Sequence, residues 1–127
     1  NPIKEYSNSK VKLTDAWTVL GYENSYHTAH SHLKDINLLS SNAPTNRFAT
    51  ILYLDVPKKP NIHQPGSFYF FLLDEYLNLL HNEIHPQIGD LIIMPVHIFH
   101  GVYPQSKGLR QTLNMDFEII EDEKEEN

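Results

Sequence analysis

Residues 89–117 read GDLIIMPVHIFHGVYPQSKGLRQTLNMDF. Gly89 opens a turn into an apolar run, Asp90 to Pro95, in which Leu91 to Met94 have the character of a buried strand. A second short extended run, Phe99 to Tyr103, ends at Pro104, and a third, Leu109 to Ile120, begins after Gly108. In this third run Leu109, Gln111, Leu113, Met115 and Phe117 alternate with Arg110, Thr112, Asn114 and Asp116, so a strand here has one largely apolar and one polar face. Short β-type runs separated by proline and glycine are the pattern of a sandwich or barrel.

The same punctuation continues upstream, at Pro44, Pro57, Pro60, Pro65 with Gly66, and Pro86. It predicts further strands over Val11 to Leu20, Ser25 to Leu33, Arg47 to Val56 and Ser67 to Leu73. The segment Asp74 to Asn82 (DEYLNLLHN) reads two ways, because its leucines suit a helical turn or two and equally a loop and strand. Lys34 to Asn46 is a polar stretch that reads as a mobile loop. The expected class is all-β with minor α content.

With 127 residues, of which 40% are hydrophobic and 20% charged, the composition is that of one globular domain, placed at residues 1–120. A chain of this size buries roughly two thirds of its unfolded surface, so its core requires no metal or disulfide, and a bound metal is expected to be functional. Cysteine is absent, which excludes disulfides, thiol catalysis and thiolate zinc sites. No run approaches the ~20 apolar residues of a membrane span, and no secretory signal is visible. A soluble, cytoplasmic protein is expected, and the start at Asn1 rather than Met fits a trimmed chain or a piece of a longer product. Within residues 121–127 five carboxylates against Lys124 leave −4 of the formal −6, which marks a solvated acidic tail. Without a basic stripe, nucleic acid is not an expected partner.

Histidine is the unusual residue, with eight in the chain. His30 and His32 lie two apart in an expected strand and so leave one face, where two imidazoles can share a metal. His97 and His100 are three apart and point to opposite faces of an extended segment, so only one of them can join that pair. On the polar face of the last strand, Arg110 with Thr112 and Asn114 would suit a carboxylate ligand beside a metal.

These residues resemble the Fe(II)- and 2-oxoglutarate-dependent dioxygenases, in particular their prolyl-hydroxylase-like and phage-type branch. The run Asn46 to Leu54 (NRFATILYL) is similar to that family's R-x-A-T-x-L-x-Y-L strand, and His30 stands upstream where the family has its first iron ligand. Pro86 and Gly89 resemble its P-x-x-G turn. His100, Gly101, Pro104, Gly108 and Arg110 resemble its distal-histidine segment, with one glycine shifted, and Trp17 with Tyr26 resembles the phage-type members. The resemblance runs from about Trp17 to Phe117 and implies a double-stranded β-helix, the jelly-roll of the cupins.

It further implies Fe(II), with 2-oxoglutarate and dioxygen as cosubstrates, and oxidative decarboxylation coupled to hydroxylation of an unactivated C–H bond. The implied iron ligands are His30, His32 and His100. The family pattern H-x-[DE] is here H-x-H, and Asp35 is the alternative ligand, at the spacing a cupin would use. Arg110 would hold the C5 carboxylate of 2-oxoglutarate, assisted by Tyr53 and more weakly by Thr112. A prolyl residue of a peptide or protein is the leading substrate class. Such a substrate would lie across a mouth lined by the Lys34 to Asn46 loop and aromatics such as Tyr22 and Tyr69. Two other readings stay open: a cupin-type metalloenzyme without keto acid, and a non-enzymatic β-sandwich binding protein.

Overall fold

A computed structural model describes residues 9–32, 46–58 and 66–121. Asp35, His63, most of the Lys34 to Asn46 loop and the acidic tail after Glu121 lie outside the described residues. Eight strands follow one another: β1 (Ser9–Gly21), β2 (His27–His30), β3 (Arg47–Asp55), β4 (Phe68–Leu73), β5 (Leu79–Ile84), β6 (Leu91–Pro95), β7 (His100–Val102) and β8 (Arg110–Glu121). They form two four-stranded sheets, ordered β1-β8-β3-β6 and β2-β7-β4-β5, with every pairing antiparallel. This is the expected double-stranded β-helix.

A strand lies within each run anticipated from the proline and glycine spacing, although β2 ends at His30 and leaves His32 in a bend beyond it, and β5 resolves the ambiguous segment. No helix occurs among the described residues. Asp74 turns the chain there: its carboxylate accepts from the backbone N–H of Tyr76 (2.9 Å) and Asn78 (2.8 Å), and Leu77 takes a positive φ of 64°. Leu79 and Leu80 then return opposite Leu73 and Leu72. A run this short cannot repay helix nucleation, whereas hairpin pairing satisfies its backbone along β4.

The sheets face each other across a thin core of Ala49, Ile51, Tyr53, Phe68, Met94 and Val96, with Ile92, Phe70, Ile98 and Val102 packed against it. Alternation along β3 sends Ala49, Ile51 and Tyr53 inward and leaves Leu54 exposed, while Ile92 and Met94 of β6 turn in and Leu91 and Ile93 turn out. Along β8, Arg110 and Thr112 share one face, as the alternation requires, and the structure turns that face inward and buries both. The polar face of β8 therefore opens between the sheets rather than to solvent.

Candidate metal centre and anion pocket

The pairing of β2 with β7 sets His30 directly opposite His100. Ligands seventy positions apart in the chain thereby come together: the His30 and His100 rings are 4.5 Å apart between centroids, His32 and His100 5.0 Å, and His30 and His32 5.6 Å. One nitrogen of each of the three imidazoles lies within 4.8 Å of the others. His97 does not join them: it lies in the turn between β6 and β7, exposed beside Ala29, Phe71 and Phe99, so the turn and not strand alternation separates it from His100. His81 is on the outer side of the second sheet, where its Nε2 meets the Tyr103 hydroxyl at 2.9 Å.

Hydrogen bonds set the tautomer of all three clustered rings. His30 Nδ1 lies 2.8 Å from the carbonyl of Thr28, His100 Nδ1 3.0 Å from that of Ile98, and His32 Nδ1 2.9 Å from Oδ1 of Asp116. Each partner is an acceptor only, so each Nδ1 carries its proton and donates, and each Nε2 keeps a free lone pair. Three lone pairs held in this way are the donor set of a transition-metal site with imidazole ligands. His100 is buried against Phe68, with ring centroids 5.5 Å apart, and burial pushes its pKa down to about 4, the neighbouring imidazoles adding to the fall and the Ile98 carbonyl opposing it. It is therefore neutral and ready to ligate at ordinary pH. Exposure rises from His100 to His32 to His30, so the cluster opens to solvent on the His30 side.

A cavity of about 180 Å³ runs from this cluster between the sheets, lined by Trp17, His27, Tyr53, Phe68, Thr112 and Asn114, and reaches Arg110. Arg110 is only 4% exposed, and its Nε and Nη1 find no partner among the described residues. Burial lowers its pKa from the usual guanidinium value, and the Tyr53 hydroxyl acts in the opposite sense. Tyr53, buried beside it, is pushed up to about 12 by burial, with Arg110 pulling down and Asp90 pushing up, so its phenol stays protonated and able to donate. Gly21 permits this packing, because a methyl group there would overlap Oε1 of Gln105 and press on the guanidinium. Gln105 is itself held by its amide N–H groups, which donate to the carbonyls of Gly21 (3.1 Å) and Gly108 (2.8 Å). Thr112 donates its hydroxyl to Oδ1 of Asn114 at 2.7 Å, so in this arrangement it has no proton to offer an anion, while the Asn114 amide keeps its N–H donors.

Two residues of this site were not singled out from sequence. His27 lies three before His30 and would face away in a regular strand, but an irregularity between His27 and His30 in the pairing with β7 lets both line the cavity. Burial lowers the His27 pKa, with Arg110 and His30 adding to the effect. Gln105 sits in an irregular segment, where no periodicity points to a buried role. Asp116 was placed on the correct face by alternation, but its partner His32 is 84 positions away in the chain.

The fold is the double-stranded β-helix found in solved structures of 2-oxoglutarate- and Fe(II)-dependent oxygenases. Among solved structures, the chain is similar to a Pseudomonas putida prolyl-4-hydroxylase, with 19% identity, a TM-score of 0.58, and coverage of 81% of this chain and 50% of that one. It is also similar to a 2OG-Fe(II) oxygenase family member from Burkholderia pseudomallei, at 14% identity and a TM-score of 0.62, covering 88% of this chain and 47% of that one. A third likeness is to HygX from Streptomyces hygroscopicus with nickel, 2-oxoglutarate and hygromycin B bound, at 16% identity and a TM-score of 0.59, covering 85% and 56%. The chain spans about half the length of these three structures. No protein-family model matches the chain, and no curated protein matches it in sequence. No helix among the described residues is long and apolar enough to cross a membrane.

Proposed function

We propose that the chain is an Fe(II)- and 2-oxoglutarate-dependent oxygenase that hydroxylates an unactivated C–H bond, with a prolyl residue of a peptide or protein as its substrate class. The observation that carries this reading is the polarity of one cavity. Three imidazole lone pairs converge at one end, and a buried guanidinium with unpartnered N–H groups stands at the other. A 2-oxoglutarate dianion has complementary ends: a keto acid that chelates a metal and a distal carboxylate that needs a cation.

His30, His32 and His100 would hold the iron, with Asp35 as the alternative ligand, and three protein ligands on an octahedral ion leave room for a bidentate keto acid and dioxygen. When bound, the iron supplies oxygen activation coupled to decarboxylation of 2-oxoglutarate. The chain's own residues do the positioning. Arg110 would take the C5 carboxylate with its free Nε and Nη1 hydrogens, the Tyr53 hydroxyl would donate a further hydrogen bond, and Asn114 offers an amide N–H in place of the committed Thr112 hydroxyl. Phe68, Trp17 and Ile51 exclude water from the walls. At about 180 Å³ the cavity suits a small dicarboxylate and falls below the ~300–1,000 Å³ of drug-sized ligand sites. The substrate to be oxidised therefore belongs at the open His30 side, where a peptide can lie outside the sheets and present one ring to the metal. Support for the prolyl class is the resemblance of the Tyr53 and His100 segments and the similarity in fold to a prolyl-4-hydroxylase; Trp17 and Tyr26 alone carry the phage-type likeness.

The test is to incubate the protein with Fe(II), 2-oxoglutarate, oxygen and proline-rich peptides while following succinate and a one-oxygen mass gain together. Both should appear in step. Succinate without peptide oxidation would keep the oxygenase reading and discard the prolyl one. No succinate under any condition would favour a metalloenzyme without keto acid or a binding protein.

A further inference from the structure

Asp116 presents both carboxylate oxygens to the Nδ1–H of His32, at 2.9 and 3.2 Å, and the two side chains are only 14% and 10% exposed. A carboxylate largely withdrawn from water needs hydrogen bonds or a compensating charge. Among the described residues the one basic group in ion-pair contact with it is the His32 imidazole; Arg47, a diagonal neighbour on β3, forms no such contact. Its cross-strand neighbours are Ala49 on β3 and Asp15, a second acid, on β1. Arg110 shares the same face of β8 but stands six residues along it, roughly 20 Å away at the rise of a β-strand. Among the described residues, the hydrogen-bond partner of the Asp116 carboxylate is the His32 imidazole, whose far nitrogen points to the other two histidines.

We infer that Asp116 is a positioning residue for the metal, supplying through His32 the negative charge that a ligand set of three neutral imidazoles lacks. The inference rests on the metal-site reading above. At the position where the resemblance leads one to expect an acidic ligand the chain has His32, and the carboxylate stands one residue-length behind it. Hydrogen-bonded to Nδ1–H, Asp116 fixes the ring with Nε2 toward the cluster and makes that nitrogen a stronger donor, as outer carboxylates do for metal-bound histidines. Ala49, buried and small, leaves room for the pair on the inner face of the first sheet. The cavity then has an acid behind its histidine end, reaching it through His32, and Arg110 at the other end to take an anion.

The test titrates Co(II), as a spectroscopic probe, into metal-free full chain carrying Asp116→Asn, His100→Ala or no change. Asp116→Asn keeps a neutral acceptor for Nδ1–H and removes the charge. It should weaken Co(II) about ten- to a hundredfold and shift the visible absorption of the bound ion, while the metal-free circular dichroism stays that of the parent. Equal affinity and an unchanged spectrum in Asp116→Asn, with binding lost in His100→Ala, would overturn the role of Asp116 and leave the metal site standing. A parent protein that is folded and takes up no Co(II) would overturn the metal site itself and this inference with it. A second measurement needs no variant: nitrogen NMR of the parent with Zn(II) should show His32 metallated at Nε2 with a hydrogen-bonded Nδ1–H, and metallation at Nδ1 would overturn the assignment.

Discussion

Replacing Arg110 by Met should change two quantities in opposite directions. In the ligand-free protein the guanidinium is buried with Nε and Nη1 unpartnered, so it bears a desolvation cost that no carboxylate offsets. An apolar side chain of similar length removes that cost, and such replacements of buried charge are neutral or stabilising by about 1–4 kcal/mol. For a chain of this size that corresponds to a rise in melting temperature of roughly 4 °C per kcal/mol. With 2-oxoglutarate present the sign reverses. Loss of one hydrogen bond to a charged group costs about 1.5–3 kcal/mol, which is about ten- to a hundredfold in affinity, and two free N–H groups put Arg110→Met at the upper end. Arg110→Lys keeps the charge without the fork and should fall between parent and Met. The assay is calorimetric titration of 2-oxoglutarate into Ni(II)-loaded protein, paired with thermal melts without ligand. Unchanged affinity, or a melting temperature that falls by several degrees in Arg110→Met, would refute the assignment of Arg110 to an anionic ligand and make it a structural residue.

Three further expectations follow from the same geometry. His30→Ala and His100→Ala should each abolish iron binding, whereas His81→Ala, on the outer side of the second sheet, should leave metal content near that of the parent by elemental analysis. In the parent, metal at a hundred times its Kd should add about 2.7 kcal/mol to stability, an increment that chelator removes and that neither His30→Ala nor His100→Ala shows. Phe68→Ala should cost about 3–5 kcal/mol in denaturant unfolding, because Phe68 is 1% exposed and packs against the His100 ring. A cost below 1 kcal/mol would mean that the core collapses around the gap.

The strands were legible because their signals are local. Proline and glycine end each run, and alternation along Leu109 to Ile120 assigns Arg110, Thr112, Asn114 and Asp116 to one face with no knowledge of what that face meets. β5 was not separable from a short helix, because Leu77, Leu79 and Leu80 satisfy both periods over so few residues. The deciding interactions are the Asp74 turn and pairing with β4, and the second of these is a tertiary contact.

The same division holds within the site. The two-residue period expected of a strand put His30 and His32 on one face, with Asp35 as the alternative ligand, and the spacing of His97 and His100 allowed one of them to join, so the sequence by itself narrowed the candidate ligands to a few residues. Only the pairing of β2 with β7 selects His100 and brings it to 4.5 Å from His30 between ring centroids. An irregular pairing, which no composition signals, turns His27 into the cavity. Which acid stands behind His32 was likewise a tertiary matter: Asp116 reaches it across 84 residues because β8 lies in the facing sheet. Side-chain direction along a strand is a consequence of local backbone geometry, and so it can be read from the chain; which strands lie side by side depends on long-range hydrogen bonding and burial, and so only the folded structure decides which of those side chains meet.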